Sequence, residues 1–165
     1  MNLLRQLWLF AASTAIVVPS ASAAIILQYH HVATDTPSST SVTPQEFRTQ
    51  LQYLKDHQYK VVSLERLINQ LKAGEPLADD EVAITFDDGY ANVFTNARPI
   101  LKEFGYTYTM FLGPALIYRQ EGPVLSWQQI KTMHDEGAII ANHSSYHHRL
   151  AVPNAGESQA KWRER

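Results

Sequence analysis

The sequence predicts an α/β fold built on parallel strands, and three observations carry that prediction. Short apolar runs rich in β-branched residues alternate with longer stretches of helical periodicity from residue 24 onward. Helical stretches open on capping residues such as Thr43 and Ser126 and close on glycines such as Gly74, Gly105 and Gly137. Two apolar runs also end in chemistry-bearing residues, Asp87-Asp88 and His143, which would bring them to the carboxyl rim where α/β sheets collect ligands. Strands separated by helices pair in parallel, as a barrel or an open sheet.

In order, Ala24 to Tyr29 is a continuous apolar run suited to a central strand, ending at His30-His31. Residues Thr34 to Ser41 are rich in Ser, Thr and Pro and predict a loop. Thr43 then caps a helix with Pro44 at its first position, Glu46 in its first turn, and Phe47, Leu51 and Leu54 along one face. Tyr59 to Leu64 predicts a short strand, and Glu65 to Ala73 a helix stopped by Gly74 and Pro76. Val82 to Phe86 predicts a buried strand that runs into Asp87-Asp88, with Gly89 permitting a sharp turn.

Ala91 to Phe104 follows as a helix with Pro99 marking a kink or early break. Tyr106 to Leu112 is the next strand, broken by Gly113-Pro114. Ser126 caps a helix through Trp127, Ile130 and Met133, and Ala138 to Ala141 is the strand that delivers His143. A last helix begins at about Glu157. Five candidate strands are too few to close a parallel barrel, so the expectation is an incomplete barrel that continues beyond residue 165 or needs a partner.

Composition narrows the function. A chain of 165 residues supports one domain with a real core, and a net charge of -2 lacks the basic surface that phosphate backbones select. There is no arginine-rich run and no Gly-rich phosphate loop, so neither nucleic acid nor nucleotide is expected as a partner. Residues 1–23 have the form of a removable secretory signal: Arg5, an apolar stretch from Leu7 to Val18 too short to span a bilayer, and the small-x-small site Ala21-Ser22-Ala23. An uncleaved membrane anchor is the alternative. The mature chain would span 24–165 and be periplasmic or secreted, meeting the membrane only during export; without cysteine it has neither disulfide nor lipid-modified thiol.

Adjacent carboxylates repel unless a cation or a shared proton relieves them. Taken alone, Asp87-Asp88-Gly89 also fits a solvated turn, and His143 and His147 fit loop histidines. Together, on one predicted rim, they offer the carboxylate oxygens and imidazole nitrogens that zinc and related divalent ions prefer. His30 reaches the same rim and is placed as a substrate-lining or supporting residue rather than a ligand. Tyr90 lines the groove or belongs to the core. His148 adjoins His147 and could replace it, while Ser144 could fix the turn between the histidines.

With these residues in place, the chain resembles the polysaccharide deacetylases of the NodB-homology type, carbohydrate esterase family four, and within it the exported bacterial members. Thr85-Phe86-Asp87-Asp88-Gly89-Tyr90 matches the first family motif and His143-Ser144-Ser145-Tyr146-His147 the second; Tyr29-His30-His31-Val32 and the Phe47 to Leu67 region add to the likeness. The resemblance implies a distorted (β/α) barrel, here incomplete. It also implies a divalent metal, usually zinc, on Asp88, His143 and His147, with Asp87 as the general base. The implied reaction is hydrolysis of acetyl groups, mainly N-acetyl, on a cell-envelope or extracellular polysaccharide, with water activated at the metal. The family's later motifs, which supply an arginine beside the base and a histidine acid, are absent from this sequence. Two other functions fit the same residues: a catalytically silent protein that binds only metal or sugar, and a small-molecule amidohydrolase.

Overall fold

A computed structural model of the protein describes residues 24–163, apart from 121, 148–152 and 154. The expected secretory signal over 1–23 and the alternative ligand His148 lie outside the described residues. No described helix is long and apolar enough to cross a membrane.

The strands are β1 (Ile25–Tyr29), β2 (His31–Val32), β3 (Ser41–Val42), β4 (Lys60–Val61), β5 (Glu81–Phe86), β6 (Thr109–Leu112) and β7 (Ile139–Asn142). The α-helices are α1 (Pro44–Asp56), α2 (Leu64–Ala73), α3 (Arg98–Phe104), α4 (Pro114–Arg119), α5 (Trp127–Asp135) and α6 (Gln159–Arg163). The main sheet runs β1-β5-β6-β7, with β4 added at the N-terminal end of β5, and every pairing in it is parallel. Among the described residues β7 pairs only with β6, so the sheet stays open and the barrel does not close.

Strand β5 is the axis of the fold. All six of its residues are buried, which is why its sequence reads as a continuous apolar run rather than an alternating one. One face of the sheet presents Tyr29, Ile84, Phe86, Met110 and Leu112 to a helical layer. Phe47, Leu51 and Leu54 of α1, Ile100 and Leu101 of α3, and Ile130 and Met133 of α5 complete that core. Each such side chain contributes about 1.5–3 kcal/mol on burial. The registers that set Gln28 opposite Thr85, Thr85 opposite Thr109 and Phe111 opposite Ala141 put Gln28, Thr85, Asp87, Thr109, Phe111 and His143 on the other face.

The helix starts follow their capping chemistry. Thr43 and Glu46 form a reciprocal capping box on α1, and Ser126 and Gln129 form another on α5. Five segments differ from expectation, among them the strand expected over Tyr106 to Leu112, which begins only at Thr109. The predicted loop over 34–41 ends in a 3₁₀ turn, Ser38–Thr40, and leads into β3, which pairs with β2 as a separate two-stranded sheet. The single helix expected over 91–104 is instead a π-helical turn, Val93–Ala97, followed by α3. Pro99 explains that break, because it lacks the amide an α-helix would need there and sits comfortably in the first turn of a new one. Gly113-Pro114 ends β6 as expected but also begins α4, with proline in its first turn. The strand expected over 59–64 shrinks to two residues because Ser63 is taken as the cap of α2.

Candidate metal centre

The two aspartates leave the carboxyl end of β5 by different paths. Asp87 keeps the strand's direction, its amide donating to the carbonyl of Tyr29 at 2.9 Å. Asp88 turns sharply, with φ of 68°, and Gly89 follows at 79°. A left-handed aspartate costs of the order of 1 kcal/mol and persists only where the surroundings enforce it. Here a neighbouring segment does so: Leu125 donates to the Gly89 carbonyl at 2.8 Å, Ala91 donates to Pro123, and Tyr90 bridges Val124. Gly89 is also fixed by space, since a Cβ there would lie 2.8 Å from Leu112.

The histidines arrive from β7. The amide of His143 donates to the Leu112 carbonyl, extending the β6-β7 ladder by one rung. Ser144 and His147 then adopt positive φ, 58° and 54°. The carboxamide of Asn142 accepts from the Ser144 amide at 2.6 Å, so an asparagine closes the turn for which the hydroxyl of Ser144 was the expected agent. The Ala115 amide at the start of α4 donates to the Ser145 carbonyl, anchoring the loop that carries His147.

These paths converge. Asp88 Oδ1 stands 3.3 Å from Nε2 of His143 and 3.2 Å from Nε2 of His147, and the candidate ligand atoms of the three residues all lie within 4.8 Å of one another. Asp88 Oδ1 is buried without a hydrogen-bond partner, so neither imidazole satisfies it by donation. A buried carboxylate oxygen left in that condition costs several kcal/mol unless a cation takes it up. Ligand bonds of about 2.0–2.2 Å in tetrahedral array hold their donor atoms about 3.3–3.6 Å apart, close to the separation of Asp88 Oδ1 from each imidazole nitrogen here. The residues therefore fit a divalent cation, and the greater exposure of His147, 54% against 27% for His143, leaves its side open to solvent.

Asp87 is buried and lies on the sheet face that looks into an open cavity of about 460 Å³, lined also by Ile26, Gln28, Thr85, Phe111 and His143. Gln28 donates its amide to Asp87 Oδ2. This partner was not singled out from the sequence, though a lone polar residue inside the apolar run Ala24 to Tyr29 was its signal. Tyr90 is half-buried and stacks on His31, the ring centroids 3.7 Å apart. Burial first, then the Asp88 charge and a hydrogen bond to that carboxylate, push the Tyr90 phenol above its usual range. His30 lines a different cavity, of about 300 Å³, with Ser39 to Val42.

A parallel α/β sheet whose carboxyl rim gathers one carboxylate and two imidazoles beside a second carboxylate defines a class of protein with a candidate divalent-cation site. The particular family follows from comparison with known proteins: residues 74–164 match the polysaccharide deacetylase family, and the chain belongs to it. The putative polysaccharide deacetylase YxkH of Bacillus subtilis is 29% identical over 126 residues, covering 76% of this chain and 43% of the relative. Poly-beta-1,6-N-acetyl-D-glucosamine N-deacetylase of Staphylococcus epidermidis is 29% identical over 135 residues, covering 70% of this chain and 46% of that enzyme. This chain thus spans less than half the length of either relative. Among solved structures, Streptococcus pyogenes deacetylase PplD in complex with acetate superposes with a TM-score of 0.69 at 30% identity, over 79% of this chain and 60% of that one. IcaB from Ammonifex degensii gives 0.69 at 29% identity, over 85% and 58%. The expected distorted (β/α) barrel is the fold of this family, present here as an open sheet.

Proposed function

We propose that the protein is a metal-dependent hydrolase that removes acetyl groups, mainly N-acetyl, from a cell-envelope or extracellular polysaccharide, and that it works in the periplasm or after secretion. The single observation that carries this reading is the buried, unpartnered Oδ1 of Asp88 between two imidazole nitrogens. Asp88, His143 and His147 hold the ion, with zinc as the expected metal, although their donor set also suits cobalt and nickel. Bound there, a divalent ion supplies Lewis-acid polarisation of the acetyl oxygen and an acidified water.

The chain's own residues do the rest. Asp87 is the general base: Gln28 occupies its Oδ2, which leaves Oδ1 to take a proton from the attacking water. Because Asp88 is committed to the cation, the two carboxylates carry different charge environments and do not compete for one proton. Ile26 and Phe111 wall the cavity beside Asp87, and Tyr90 is a candidate contact for the incoming sugar, whereas His30 lines the separate cavity beside β3 and would meet only a part of the polymer that reaches there. Family membership supports a polysaccharide substrate, since the Staphylococcus epidermidis relative is named for an N-acetylglucosamine polymer and a Bacillus subtilis relative for peptidoglycan N-acetylmuramic acid.

Acetate release from N-acetylglucosamine oligomers tests the proposal directly. Activity is expected to vanish with a chelator and return with added zinc, whereas turnover that survives chelation overturns the reading.

A further inference from the structure

The aspartate turn is gripped from two sides, and only one grip is made of backbone. Asp88 and Gly89 are consecutive left-handed residues, so the turn does not hold its shape by local preference. On one side the Pro123 to Leu125 segment binds it through the main chain, at Ala91, at Gly89 and across Tyr90. On the other side lies the small β2-β3 sheet, and its contact with the turn runs through side chains.

We propose that His31 is a positioning residue for the metal centre: its ring forms the wall against which Tyr90 is stacked, and Tyr90, two residues past Asp88, braces the turn that presents the Asp88 carboxylate. His31 is only 6% exposed, so its ring is not a mobile surface group. The two ring centroids lie 3.7 Å apart with planes 29° from parallel, a close stacked contact. His31 is itself held. Asn92 Nδ2 lies 2.9 Å from His31 Nδ1, while Asn92 Oδ1 accepts from the Val32 amide at 3.1 Å. The second bond fixes which way the carboxamide points, so Asn92 donates to Nδ1 and the imidazole carries its proton on Nε2. Asn96 completes the attachment by donating to the Val32 carbonyl at 2.8 Å.

Two asparagines from the helical turn that follows Asp88 thus reach back to one short strand, and the histidine on that strand supports the tyrosine beside Asp88. The order of dependence is Asn92, His31, Tyr90, Asp88. Ligand orientation by partners of this kind typically changes metal affinity ten- to a hundredfold. The inference rests on the metal site proposed above, so its test must separate the two.

Cobalt(II) is the probe, because its visible absorption reports ligand geometry and its titration reports affinity, both independently of turnover. The whole protein is titrated as wild type and as His31→Ala, His31→Phe and Asn92→Ala, with circular dichroism and melting temperature recorded for each. His31→Ala and Asn92→Ala are expected to bind cobalt about ten- to a hundredfold more weakly with a shifted absorption band. His31→Phe keeps the stacking face but loses the Asn92 bond, and is expected to bind cobalt more tightly than His31→Ala and more weakly than wild type. Should the alanine variants be folded and bind as wild type does, or His31→Phe bind as weakly as His31→Ala, the positioning role is overturned. If His31→Ala does not fold, Asn92→Ala decides the same point: folded and weaker for cobalt it supports the role, folded and binding as wild type does it overturns it. A wild-type protein that binds no cobalt overturns the metal site itself.

Discussion

Gln28 and Asp87, 59 residues apart in sequence, are joined by a hydrogen bond from the glutamine amide to Oδ2 of the aspartate. The bond exists because β1 and β5 are parallel neighbours in register, with Gln28 opposite Thr85 and on the same face as the residue two further on. It gives Asp87 a fixed rotamer and one free oxygen. Gln28→Leu is therefore expected to lower kcat for acetate release about ten- to a hundredfold while leaving zinc affinity unchanged, since its hydrogen bond goes to Asp87 and not to a proposed metal ligand. Steady-state kinetics beside a zinc titration checks both halves of this expectation.

The cation site makes a thermodynamic prediction that needs no substrate. A ligand that binds only the folded state stabilises it by about 2.7 kcal/mol at a hundred times its dissociation constant. Added zinc should raise the melting temperature of the wild type by several degrees, and Asp88→Asn should abolish that rise. The same substitution removes a buried charge whose Oδ1 has no hydrogen-bond partner, so the metal-free variant is expected to melt at or above the metal-free wild type. Differential scanning calorimetry with and without zinc measures both effects.

Much of this site was legible in the sequence because its signals are local. Apolar β-branched runs gave β5 and β7, and the residues that end them, Asp88 and His143, do meet with His147. The supporting residues were not legible, because their partners are set by register and tertiary packing. Gln28 looks like an interruption in a strand until β1 is laid beside β5. Asn92 looks like a helix residue until β2 is folded over it. The π-helical turn and α4 were missed for a different reason: proline and glycine mark where a helix stops, but give little indication of whether another begins at once.

Gly89 is the position where substitution should cost most for the fewest atoms. Its φ of 79° disfavours any side chain, and a Cβ would meet Leu112 at 2.8 Å and Ile117 at 3.1 Å, both buried in the core. Backbone strain and overpacking each cost about 1–3 kcal/mol. Gly89→Ala is expected to lower the unfolding free energy by at least about 2 kcal/mol and to weaken zinc binding as the turn shifts. Urea denaturation measures the first, and Gly105→Ala serves as the control, because it also lies at positive φ but has open space around it.

The last prediction concerns acid stability and is independent of the metal. Glu136 follows α5 and is bound by Arg98 of α3 through two bonds of 2.6 Å, with Lys102 adding a third at 3.0 Å. The hydrogen bonds from Arg98, then Lys102, hold its carboxyl down at about 2. A carboxylate depressed in the folded state contributes stability above its unfolded pKa, and that contribution is lost as pH falls through the folded value. Glu136→Gln should therefore melt below wild type at neutral pH, and the difference should shrink from about pH 4.5 and close near pH 2. The pair is solvent-accessible, so the effect should be modest and reduced by salt. Paired melting curves from pH 7 to pH 2, at low and high ionic strength, test the window and the sign; a difference that persists unchanged at pH 2 would show that Glu136 acts through packing rather than charge.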